Sequence, residues 1–102
     1  MRERIDLIRS WIDNFSETDF VGNLLVRDAV ALSLLIIGET ARRLLESTRM
    51  AAQEIPWPAV VSLRNRIAHG YETVDHQLVW QILQEDLPAL SDAVDRLLIT
   101  PP

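Results

Sequence analysis

The sequence predicts an all-α antiparallel bundle of four or five helices, and three features carry that expectation. Apolar residues recur at intervals of three and four in four separate segments. No segment alternates apolar and polar residues with the two-residue period of a strand. The apolar fraction is 48% and there are only three glycines, a composition that suits compact helices and argues against disorder. At 102 residues the chain is expected to form one domain, residues 1–102, with length enough for a single ordinary core.

The first helix is expected over Glu3 to Asn14, where Ile5, Ile8, Trp11 and Ile12 fall at helical spacing. Ser16-Glu17-Thr18-Asp19 is a polar break with good N-cap residues. The second helix is expected from about Asp19 to Ser47, and its centre, Ala29 to Ile37, is apolar all round. A surface helix normally has one apolar stripe. A helix apolar on every side must be covered on every side, which three partner helices cannot easily do, so a second subunit is the expected cover. Pro56 and Pro58 bias Ile55 and Trp57 to extended conformations. Pro58 also fits the first turn of a third helix, which runs to about His69 with Gly70 as its stop. Asp75 is a good N-cap for the fourth helix, whose apolar face is Leu78, Val79, Ile82, Leu83 and Leu87. Pro88 should kink that helix or divide it. Leu90, Val94, Leu97 and Leu98 continue the pattern, and Pro101-Pro102 is expected to fray.

There is no cysteine, hence no disulfide, thiolate metal site or cysteine nucleophile. The formal net charge of −5 argues against broad, charge-driven nucleic-acid binding. It leaves room for a local basic site, because Arg42, Arg43, Arg64 and Arg66 are four of the ten basic residues and sit mid-chain. Every one of the ten is arginine, whose planar guanidinium suits phosphate. The charged start does not read as a signal peptide. The most apolar run falls short of the roughly 20 residues a membrane span needs. A cytoplasmic protein without a membrane partner is therefore expected.

The residues that carry chemistry are Arg64-Asn65-Arg66-Ile67-Ala68-His69-Gly70-Tyr71. On a helical wheel Val60, Leu63 and Ile67 face the core, while Asn65 and His69, four apart, share a different face. His69 is thus presented outward at a helix end, beside an amide and one or two guanidinium groups. Histidine can take a proton from a ribose 2′-hydroxyl, or give one to a leaving oxygen, near neutral pH. Arginine can stabilise the charge that builds on a phosphate. Asparagine can orient the imidazole or the substrate. These groups suit phosphodiester chemistry without a metal or other cofactor. One histidine cannot easily be base and acid at once, and a two-fold dimer would bring a second. The residues alone leave a plainer reading open, since a histidine before glycine also caps helices and helix arginines are usually solvated. Glu39 and Arg43 read as an i,i+4 ion pair. His76 reads as solvated, with nothing nearby to complete a metal site. Trp57 reads as a plug at the core edge, with Trp11 and Trp80 as packing residues.

The segment resembles the Arg-x4-6-His motif of the HEPN superfamily, and Arg64-(x4)-His69-x-Tyr71 resembles the form found in HepT-like toxins. Ile37-Gly38-Glu39, Arg43-Leu44, Glu54-Ile55-Pro56-Trp57, Val74-Asp75, Val79-Trp80 and Glu85-Asp86-Leu87-Pro88 resemble that family's text in its usual order, from Phe20 to Leu98. The resemblance implies a HEPN-like bundle and a metal-independent endoribonuclease toxin, homodimeric, with RNA cut in a cleft on the two-fold axis. It implies Arg64 and His69 as catalytic residues, Asn65 as a supporting one, and Tyr71 as a tyrosine adenylylated by a minimal nucleotidyltransferase antitoxin. An attached phosphate is then expected beside Arg64 and His69. Arg66 is given no catalytic role. The competing expectation is a HEPN module that binds a nucleotide or a partner without cleaving. A nucleotidyltransferase activity of the chain itself is excluded, because no Gly-Ser segment with paired aspartates follows a strand pattern.

Overall fold

The computed structural model describes residues 1–44 and 46–99, with the side chains of residues 97–99 outside the description. The described residues form seven α-helices and one 3-10 turn and contain no strand. Leu97 and Leu98 as core positions, and Pro101-Pro102 as a fraying end, fall outside what is described.

Helix α1 is Arg2–Ile12, with Ile5 and Ile8 fully buried on its inner face. Helix α2 is the short Glu17–Gly22. Its Ser16 N-cap accepts from the Asp19 backbone N–H while the Asp19 carboxylate accepts from that of Ser16, a reciprocal cap contributing about 1 kcal/mol. The expected long second helix is divided at Asn23. That residue closes α2 and caps α3, Leu24–Arg43, by accepting from the Val26 N–H at 3.0 Å. Helix α3 then stops at Arg43, and α4 is the short Glu46–Met50.

Helix α5, Trp57–Gly70, carries Pro58 in its first turn. Trp57 is buried, and its indole N–H donates to the Ala52 carbonyl at 3.1 Å. A 3-10 turn, Tyr71–Thr73, follows. Helix α6 is His76–Glu85, capped by Asp75, which accepts from the backbone N–H groups of Gln77 and Leu78. Helix α7, Leu87–Ile99, begins with Pro88 in its first turn, so the proline divides the last segment. These added breaks turn four or five expected helices into seven without changing the all-α architecture.

Helix α3 is the spine. Its Val30, Leu34 and Ile37 are buried, and α1, α2 and α5 all pack on it, while α6 and α7 close the bundle over α2 and α1. The two chain ends are joined by Arg2, whose guanidinium donates to Ser91 Oγ at 2.8 Å and to Asp95 at 2.7 Å. Phe20 and Trp80 pack with ring centroids 5.5 Å apart. Among the described residues one strip of α3 has no cover: Leu25 is 80% exposed and Leu32 55%. Among the described residues no helix is long and apolar enough to cross a membrane.

Candidate active site

Ile67 anchors α5 in the core, with Val60 and Leu63 half-buried beside it. The other side of the helix therefore faces out, and Asn65, Arg66 and His69 are exposed on it. His69 makes no hydrogen bond or ion pair among the described residues, so its imidazole is free to meet a ligand.

Arg64 is held on two sides. Its Nη2 lies 3.2 Å from Glu39 Oε2 on α3, and its Nη1 donates to Asn65 Oδ1 at 3.0 Å. Glu39 also binds Arg42 at 2.6 Å and Arg43 at 3.2 Å. The hydrogen bond from Arg42, with the charges of Arg64 and Arg43 behind it, keeps the Glu39 carboxyl below its ordinary pKa. Three guanidinium groups around one carboxylate leave a surplus of positive charge, which suits a phosphodiester. The expected Glu39–Arg43 pair is present, but Glu39 does more, because it reaches across to α5 and orients Arg64.

Gly38 makes that reach possible. A Cβ at this position would lie 2.2 Å from Arg64 Cβ and 3.3 Å from the Val60 carbonyl oxygen. The helices cross there without a side chain between them. Gly38→Ala must push α5 off α3, and overpacking of this kind typically costs about 1–3 kcal/mol. The expected result is a lowered melting temperature together with reduced RNA cleavage, as Arg64 moves away from Glu39. A variant with wild-type melting and activity would show that the crossing is not tight.

Beyond His69 the chain departs from expectation. Gly70 has φ −160°, so it is no left-handed stop, and the helix tightens into the 3-10 turn with Thr73 Oγ1 donating to the Gly70 carbonyl at 2.8 Å. Tyr71 is half-buried, and its hydroxyl donates to the carboxylate of Asp28 on α3. Burial and that bond push its pKa up to about 12. The ring of His76 meets Tyr71 edge-on, with centroids 5.6 Å apart. Burial, and then the charge of Arg27, lower the His76 pKa. His76 is thus a packing partner of Tyr71 and not the solvated residue expected.

Arg64 and Asn65 are joined, and His69 lies on the same outer side of α5 as Asn65. Tyr71 is aimed elsewhere. Asp28 and Glu39 are eleven residues apart, about 16 Å along the helix, so the phosphate expected beside Arg64 and His69 would, on the Tyr71 hydroxyl, instead meet Asp28 near Arg27. Sequence reasoning named Gly38 only as part of the resemblance, without a role, and passed over Asp28. A glycine inside a strong helix costs about 1 kcal/mol against alanine and signals a close approach. Asp28 had a fainter signal, a carboxylate on the otherwise apolar face that continues to Glu39. Among the described residues no group of three or more metal-ligating side chains is gathered. An apolar cavity of about 150 Å³ lies on the core side of α5, lined by Leu34, Ile37, Val60, Leu63, Leu83 and Leu87, and contains none of the motif residues.

Comparison with known proteins identifies the family. Residues 1–97 match the family described as Ribonuclease HepT-like. A Methanocaldococcus jannaschii protein named "Putative RNase MJ1380" is 36% identical over 77 residues, covering 76% of this chain and 71% of that one. A Thermococcus cleftensis protein named "Probable ribonuclease HepT" is 30% identical over 95 residues, covering 93% of this chain and 86% of that one. No solved structure matches the chain. With the match spanning nearly all of the helical bundle, the chain belongs to the HepT-like ribonuclease family of the HEPN superfamily.

Proposed function

We propose that this protein is the toxin of a toxin–antitoxin pair, a metal-independent endoribonuclease that cleaves RNA with Arg64 and His69. The observation that carries the reading is the pairing of a fixed guanidinium with a free imidazole. Arg64 is oriented by Glu39 and Asn65, and His69, at the outer end of the same helix, is exposed and unengaged. His69 takes the proton from a ribose 2′-hydroxyl, whose oxygen attacks the adjacent phosphorus. The bond to the 5′-oxygen breaks, that oxygen takes up a proton, and a 2′,3′-cyclic phosphate is left. Arg64 stabilises the negative charge on the phosphoryl oxygens as it builds.

The reaction needs an acid as well as a base, and a two-fold homodimer supplies the second His69. The uncovered strip of α3 around Leu25 and Leu32 is the surface a twin subunit would cover. A cognate minimal nucleotidyltransferase acts as antitoxin by adenylylating Tyr71. The test is incubation of purified protein with RNA in EDTA, with light scattering on the same sample. A dimer that cleaves is expected. Leu32→Glu should give a monomer with little activity, because a charge would be buried in the contact. A stable wild-type monomer at micromolar concentration would overturn the shared cleft, and cleavage lost to EDTA would overturn the metal-free mechanism.

A further inference from the structure

We infer that Asp28 is a positioning residue for RNA cleavage: from α3 it holds the Tyr71 hydroxyl and so fixes the end of α5 that carries His69. The inference rests on the reading of His69 as the group that acts on RNA.

The geometry is that of a splint. Eleven residues are three helical turns to within about 20°, so Asp28 and Glu39 lie on one face of α3. Each carboxylate holds one end of the motif: Glu39 grips Arg64 and Asp28 accepts a hydrogen bond from the Tyr71 hydroxyl. The two helices run antiparallel, and the two bonds fasten α5 at points seven residues apart. His69 lies between those points and has no bond of its own among the described residues. Its placement depends on the backbone around it. On one side that backbone is secured by buried Ile67. On the other side lie Gly70, whose carbonyl accepts from Thr73 of the adjoining turn, and then Tyr71. The Asp28 bond spans 43 residues of sequence and is the long-range polar contact that fixes this second side. The ring of His76 meets the phenol edge-on and gives it a second support.

Catalysis by a placed imidazole is sensitive to small displacements, and a shift of about 1 Å can cost a hundredfold. Loosening a single tether should cost less, roughly tenfold in kcat. Asp28→Ala and Tyr71→Phe are each expected to lower kcat by about that factor with KM nearly unchanged, because neither touches RNA. The double variant should be no worse than either single one, since both remove the same bond. Asp28→Asn keeps an acceptor oxygen of the same shape and should retain activity within about threefold.

The chain has one tyrosine, so the ultraviolet titration of the phenol reports on Tyr71 alone. In the wild type its midpoint should lie near the raised value of about 12, and in Asp28→Ala it should fall toward the ordinary tyrosine value. Assays are run well below the melting temperature of every variant. Wild-type kcat in a folded Asp28→Ala protein overturns the inference, as does a double variant that loses the product of the two single losses. His69→Ala separates this from the underlying reading. An inert His69→Ala beside a fully active Asp28→Ala removes the tether alone, whereas an active His69→Ala removes the assignment of His69 and the tether with it.

Discussion

Replacing His69 with alanine should lower the rate of RNA cleavage by about a hundred- to ten-thousandfold, the range set by losing a positioned acid or base. The melting temperature should barely move. His69 is exposed and bonded to nothing among the described residues, and surface changes of that kind stay within about 0.5 kcal/mol. Arg64→Ala should also abolish activity, by roughly a hundred- to a thousandfold through lost charge stabilisation. Its stability cost should differ. Arg64 is only 23% exposed, packs its Cβ over Gly38 and bonds Glu39 and Asn65. Truncation keeps that Cβ but removes the rest of the side chain with both polar contacts, and leaves Glu39 with Arg42 and Arg43 alone. Melting should therefore fall measurably for Arg64→Ala and not for His69→Ala. Growth inhibition on expression should disappear in both. Full cleavage by a folded His69→Ala protein would remove the mechanism.

The elements legible in the sequence were those specified locally. Ser16 with Asp19, Asp75 before its helix, and Pro88 in the last segment act through backbone groups a few residues away. The outward face of Asn65 and His69 followed from the helical period, because Ile67 had to point inward. The break at Asn23 was hidden by an apolar pattern that runs on across it. Gly70 was misleading for a different reason. Glycine permits a left-handed stop without requiring one, and here the helix tightens with an ordinary negative φ. The contacts that orient the site were illegible because they join distant positions. Glu39 and Arg64 are brought together by the close crossing at Gly38, and Tyr71 finds Asp28 because α5 runs back along α3. Such pairings exist only once two helices are packed. A spacing rule within one helix reaches Arg42 and Arg43 for Glu39 and stops there.

Co-expression with the cognate nucleotidyltransferase should add AMP to Tyr71 and silence the ribonuclease by well over tenfold. The structure changes how that silencing is expected to work. Esterification consumes the hydroxyl proton that Tyr71 gives to Asp28, so the bond is lost outright. It also sets a phosphate anion beside that carboxylate, and like charges at contact distance repel. The nearest favourable charge is Arg27, whose field reaches both Tyr71 and His76. Arg27 already donates to the Val21 carbonyl at 3.1 Å, and its Nε is buried with no hydrogen-bond partner among the described residues. The phosphate should therefore be drawn along the first turns of α3, away from Arg64, with the adenosine competing with the twin subunit for the strip near Leu25. Inhibition would then combine a loosened His69 with a filled surface where the twin subunit and RNA would meet. Tyr71→Phe separates the two roles of the hydroxyl. It should keep partial activity, because the phenol itself does no chemistry, yet escape silencing by modification. Intact-mass and peptide mass spectrometry of the co-expressed protein give the direct measurement. An inactive protein with an unmodified Tyr71 would mean that the antitoxin acts by covering the site, and equal silencing of Tyr71→Phe would point the same way.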